Sequence, residues 1–174
     1  MRCILAMLAV SAMSVPAAAA DIEGVTSFDI AVNGTIAQHC GIGSIADMDF
    51  GNLERPGLAA QARVALDCNV PFTMTVTGRN GALANRLMPN GQGPYSGTLP
   101  YLIGIEMPVR HPSTEIVSKT FESRDIQAGG TISSNGGIAT DDMYLNVELG
   151  RPSGEAGLLA GEYSETITIT VSPT

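Results

Sequence analysis

The carboxyl-terminal segment TITITVS (Thr166–Ser172) alternates β-branched apolar and polar residues at every position, so Ile167, Ile169 and Val171 share one face and Thr166, Thr168 and Thr170 the other. Only a half-buried strand satisfies that period of two, and β-branched side chains fit its pleat. The same alternation recurs at Phe28, Ile30 and Val32; at Val64, Leu66 and Cys68; at Phe72, Met74 and Val76; and at Met143, Leu145, Val147 and Leu149. No long segment shows a helical period. Turn chemistry punctuates the strands at Arg79-Asn80-Gly81, Pro89-Asn90-Gly91, Gly129-Gly130 and Asn135-Gly136-Gly137, where positive backbone angles favour glycine and asparagine. The pattern predicts an all-β chain built as an antiparallel β-sandwich. Between Val109 and Ile138, proline, charge and paired glycines blur the boundaries, and short strands are expected around Ile116 to Phe121 and near Ile126.

The 174 residues suffice for one domain. The first twenty, MRCILAMLAVSAMSVPAAAA, carry Arg2, an apolar run from Ile4 to Val15 and an Ala-rich end. That is the layout of a secretory signal peptide, and the run is shorter than the roughly 20 residues of a membrane span. The mature chain is expected to start at Asp21 and to be exported, with no membrane span beyond the leader. Losing the leader removes one base and no acid. Lys plus Arg falls from 9 to 8 against 17 Asp plus Glu, and the net charge moves from −8 to −9. An acidic chain without a basic cluster is a poor match for nucleic acid or an anionic membrane.

Cys3 leaves with the leader, so Cys40 and Cys68 remain as an even pair in an oxidising compartment and read as a disulfide. A bridge between residues 28 positions apart is worth about 3–4 kcal/mol in the chain-entropy account. Metal ligation would need more thiols or imidazoles than His39 and His111 supply. No catalytic constellation emerges either. Neither histidine accompanies a G-x-S-x-G elbow, and Asp141-Asp142 lack the spacing of a calcium loop, so those two acids read as capping or solvating the turn before Met143. Tyr101 and Tyr163 read as core residues with hydrogen-bonded hydroxyls. With no tryptophan and only 4 tyrosines and 4 phenylalanines, a carbohydrate-stacking platform has little to build on. The chain is expected to be no enzyme and to need no cofactor or metal.

Several pieces taken in order resemble the spore coat protein U domain family, which includes subunits of archaic chaperone-usher pili. They are Phe28 to Cys40, MDFGNL (Met48–Leu53), VALDCNVPFTMTVTG (Val64–Gly78), Asn85-Arg86-Leu87-Met88, Leu99-Pro100-Tyr101-Leu102, Gly150-Arg151 and AGEYSETITITV (Ala160–Val171). Pro108 to Asp125 departs from the family in being richer in charge and proline. The resemblance implies an incomplete immunoglobulin-like sandwich, lacking its final strand and completed by donor-strand exchange. Its partners would be a periplasmic pilus chaperone, an outer-membrane usher, and other copies or neighbouring pilus subunits. The product would be a surface fimbria for adhesion and biofilm formation. A self-associating spore or cell-coat protein is the alternative within the family; a monomeric secreted carbohydrate-binding β-sandwich is the alternative outside it.

A donor strand can be sought in the residues themselves. From Asp21 onward, even positions supply Ile22, Phe28, Ile30, Val32 and Ile36, whereas odd positions carry Asp21, Glu23 and Asp29. Burying Phe28, Ile30, Val32 and one further isoleucine in another molecule would contribute at most about 6–12 kcal/mol before ordering costs, supplemented by backbone pairing through strand addition. Cys40 must also reach Cys68, so the stretch has to divide, and Asn33-Gly34 tolerates the bend. The expected organisation is a signal peptide over 1–20, a donor segment over 21–33 hinged at Asn33 and Gly34, and the sandwich domain over 34–174.

Overall fold

The computed structural model describes Gly24, Ser27 and residues 29–174. The leader, the mature start at Asp21, and the donor positions Ile22 and Phe28 lie outside the described residues. Two compact units emerge, residues 1–35 and residues 36–174. Within the first, the described residues form no strand, and Ile30 and Val32 are 70% and 89% exposed.

All the regular β-structure described lies in the second unit. Its strands are β1 (Cys40–Ile42), β2 (Ala59–Val64), β3 (Leu66–Cys68), β4 (Phe72–Gly78), β5 (Leu83–Asn85), β6 (Thr98–Leu99) and β7 (Tyr101–Arg110). They continue as β8 (Thr114–Glu122), β9 (Gly130–Ser133), β10 (Ile138–Ala139), β11 (Met143–Leu149), β12 (Tyr163–Ser164) and β13 (Ile167–Pro173). The largest sheet runs β10-β7-β11-β2, with β8 on the other edge of β7, and a second runs β13-β4-β9. Two small sheets, β1-β3 and β12-β5-β6, complete the set. All the strand-to-strand pairings are antiparallel.

In β4 and β11 the alternation read from the sequence is the burial pattern: Phe72, Met74 and Val76, and Met143, Leu145 and Val147, face inward. They join one hydrophobic core, contributed by both main sheets, with Ile103, Ile105, Met107 and Val109 of β7, whose alternation the sequence reading did not single out. That shared core makes the fold an antiparallel β-sandwich. Turn chemistry falls where expected: Asn135, at φ 53°, and Gly136, at φ 82°, reverse the chain between β9 and β10.

Cys40 and Cys68 stand directly opposite each other in the β1–β3 ladder and are joined as a disulfide. The Asn69 side chain reinforces the junction, accepting from the His39 N–H at 2.9 Å and donating to the Ala37 carbonyl at 2.8 Å. Among the described residues, strand structure starts at Cys40. Residues 35–39 are exposed and unassigned despite their alternation.

The strand expected around Ile116 to Phe121 is present, whereas the expectations for Ile126 and for the Tyr101 hydroxyl are corrected. The segment around Ile116 belongs to a nine-residue strand paired along its length with β7, opposite which Pro108 faces Ile116. Ile126 lies in a single 3-10 turn, Asp125–Gln127, and not in a strand. A lone apolar residue without alternating neighbours needs only one turn to enter the core, where Ile126 is fully buried. Tyr101 is buried as expected, but its hydroxyl has no hydrogen-bond partner among the described residues. The ring tip lies against Gly78 and Ile126: a Cβ at Gly78 would come within 3.0 Å of the hydroxyl. Apolar packing thus outweighed satisfaction of one polar atom.

Burial, with a smaller contribution from Glu165, pushes the Tyr101 pKa well above the ordinary phenol value. A raised folded pKa leaves its contribution fully present below the unfolded value, about pH 10, and removes it progressively as pH rises above that. Tyr101→Phe should therefore flatten the loss of stability above about pH 10 in urea titrations. At neutral pH it should be neutral or stabilising by up to about 1–2 kcal/mol, because an unpaired buried hydroxyl is costly. Cys40→Ser should lower unfolding free energy by about 3–4 kcal/mol under non-reducing conditions; an unchanged urea midpoint would refute the contribution assigned to the bridge.

Candidate functional site

Strand β13 is an edge strand, pairing with β4 in register from Ile167↔Gly78 to Pro173↔Phe72 and with no other strand among the described residues. Its core-facing side chains Ile167, Ile169 and Val171 are only half-buried, unlike their counterparts Met74 and Val76 on β4, which are completely buried. A strand with one free edge and an incompletely covered apolar face is open to further pairing.

Beside this edge lies a groove of about 1070 Å³. One wall comprises Ile167 and Ile169 of β13, and another the irregular segment after β1, including Ile45, Met48, Phe50 and Leu53. Val64 of β2 and Met143, Leu145 and Val147 of β11 form its buried base, with Leu83 and Leu158 adding further apolar surface. The volume is at or above the upper end of the roughly 300–1,000 Å³ typical of small-molecule pockets.

Local sequence explains the walls. Residues 43–52 form no strand, although Met48 and Phe50 alternate with Asp47 and Asp49. The Asp49 carboxylate accepts the Gly51 N–H at 2.8 Å, and the Asn52 side chain accepts the Glu54 N–H at 3.0 Å, so side chains turn the backbone here in place of a ladder. At the other wall, Glu165 accepts the N–H groups of Asn80, Ala82 and Thr166 at 2.7–3.2 Å, tying the start of β13 to the β4–β5 turn. The Tyr163 hydroxyl, 2.7 Å from the Leu159 carbonyl and 3.1 Å from that of Ser96, secures the chain entering β13.

Of the residues singled out from sequence, Cys40 and Cys68 are brought together beside this groove. Ile30 and Val32 stand exposed in the other unit, where Asn33 and Gly34 carry no regular structure and neither takes a positive φ. Sequence reasoning missed Met48, Phe50 and Leu53 as wall residues; their alternation with acids was a signal, but it was too short to distinguish a wall from a turn.

The residues weighed for other chemistry are occupied differently. His39 Nε2 lies 2.9 Å from Asp67 Oδ1 on the surface. Arg63 bridges Asp141 at 3.0 Å and Asp142 at 2.8 Å. Hydrogen bonding from the Asp142 N–H, then from Arg63, holds the Asp141 carboxyl below its ordinary range. Among the described residues no three potential metal ligands cluster, and no helix is long and apolar enough to cross a membrane.

A family model described as the Spore Coat Protein U domain matches residues 26–170. The chain belongs to the spore coat protein U domain family. Domains of this family occur in surface-associated proteins of pilus and coat type, a structural role with no enzymatic activity known. A comparison with curated proteins found no match. In this spore coat protein U domain, the matched span covers the whole groove, from Ile42 to Ile169.

Occupation of the groove by apolar groups is directly measurable. Nile red, an uncharged apolar dye, should bind the mature chain with enhanced fluorescence. Ile169→Asp should cut that enhancement at least about twofold by placing a charge on the wall, with thermal melting used to confirm that the variant is folded.

Proposed function

We propose that this chain is a structural subunit of a secreted chaperone-usher fibre, exported by its leader and polymerised by donor-strand exchange. The observation that carries the reading is the apolar groove along the free edge of β13, beside half-buried Ile167 and Ile169. A β-strand inserted there would gain main-chain hydrogen bonds from β13 and bury alternate side chains against the groove base. On this reading the sandwich is incomplete by one strand.

The donor would be residues 21–33 of a neighbouring subunit, presenting Ile22, Phe28, Ile30 and Val32 to the groove. Exposure of Ile30 and Val32 supports the assignment, since two such side chains in an unpaired stretch leave apolar surface for a partner. Asn33 and Gly34 would hinge the donor to its own sandwich. A periplasmic chaperone would fill the groove before assembly, and an outer-membrane usher would exchange it for the next subunit. The resulting surface fimbria would serve adhesion and biofilm formation, and this role requires neither catalysis nor a cofactor.

The test is periplasmic expression of the mature chain alone, with its chaperone, and with a synthetic peptide copying residues 21–33. Fibres or chaperone-bound subunits are expected, with the peptide capping the groove and blocking growth. Ile30→Asp should abolish polymerisation, read by electron microscopy and size-exclusion chromatography, while leaving chaperone binding intact. A stable monomer indifferent to both chaperone and peptide would overturn the proposal.

A further inference from the structure

The groove is lined by five carboxylates, Asp47, Asp49, Glu54, Glu162 and Glu165, against one guanidinium, Arg86, which is itself paired with Glu162 at 3.0 Å. Counting Arg55, whose guanidinium reaches Gly51 at the groove edge, leaves five acids to two bases. Residues 36–174 as a whole hold fourteen acids and eight bases. Negative charge is therefore concentrated around an apolar slot.

The chain's own segment 21–33, DIEGVTSFDIAVN, carries Asp21, Glu23 and Asp29 and no base or histidine. All three acids occupy odd positions, opposite the face of Ile22, Phe28, Ile30 and Val32. With the apolar face inserted, strand alternation turns these carboxylates outward over the acidic rim. Like charges facing each other across a binding surface slow encounter and act against that partner.

We infer that the groove selects its occupant by charge, taking a neutral or basic alternating apolar strand from a different chain in preference to the acidic segment 21–33 of a second copy. This rests on reading the groove as a strand acceptor and residues 21–33 as a donor. Its consequence is that identical copies at high concentration exchange slowly with one another, while a strand of complementary charge enters readily.

The experiment uses the mature chain carrying Ile30→Asp, which silences its own donor, and three labelled peptides with the same apolar face. One is native 21–33, one carries Asp21→Asn, Glu23→Gln and Asp29→Asn, and one has lysine at those three positions. Association is followed by fluorescence anisotropy at about 20 mM and about 500 mM NaCl, on either side of the range where screening becomes strong. At low salt the neutral peptide should associate about tenfold faster than the native one and the basic peptide faster still, with the spread falling to about twofold at high salt. Asp47→Asn, Asp49→Asn and Glu54→Gln together in the acceptor should narrow the low-salt spread. Equal rates for the three peptides at low salt, or a spread unaffected by salt, would overturn charge selection while leaving the acceptor reading intact. Failure of every peptide to bind at either salt would overturn the acceptor reading and charge selection with it.

Discussion

Among the described residues strand β13 hydrogen-bonds along one edge only, and the rest of the architecture can be understood from that edge. In a closed sandwich, Ile167, Ile169 and Val171 would be as fully buried as Met74 and Val76, with which they share a sheet; here they are half-exposed. The core behind them is complete, since β7 and β11 bury their inward residues nearly completely. The incompletely covered apolar surface is therefore local and lies beside β13.

The disulfide has a structural consequence beyond cross-linking. It anchors β1, only three residues long, to β3, so the irregular segment after β1 is launched across the sandwich from a fixed point. That segment supplies Met48, Phe50 and Leu53 as one wall without forming a ladder of its own. Glu165 anchors the opposite wall through three backbone N–H groups. With both walls tied down, the proposed strand acceptor would be preorganised, which would lower the ordering cost of admitting a strand.

Charge and apolarity play different roles at this surface. On the proposed reading, apolar walls would provide non-directional attraction for any alternating strand, and the acidic rim would add discrimination at long range. The acidic character of the chain is thus more than a matter of solubility, because five of its carboxylates line the groove. Arg63 shows the contrasting case: on a different part of the surface it neutralises Asp141 and Asp142.

Strands β4, β11 and β13 were legible in the sequence alone, because a period of two is local and directly dictates which side chains share a face; β7, the longest strand, has the same period but was not singled out, its outward positions being broken by Gly104 and Pro108. The cysteine pairing was legible for the simpler reason that only Cys40 and Cys68 remain once the expected leader, with Cys3, is set aside. Sequence could not distinguish the alternation at Ile30 and Val32, which forms no strand among the described residues, from that at Ile167 and Ile169, which does, since both have the same period. It also assigned Ile126 to a strand and the Tyr101 hydroxyl to a partner, because one residue has no period and hydrogen-bond satisfaction depends on neighbours distant in the chain. What the residues determined by themselves was an all-β chain with a disulfide and an acidic surface. Only the tertiary structure decided that β13 ends with a free edge, that residues 43–54 wall a groove beside it, and that carboxylates from both sides converge there, because each is a property of segments far apart in the chain brought together by packing.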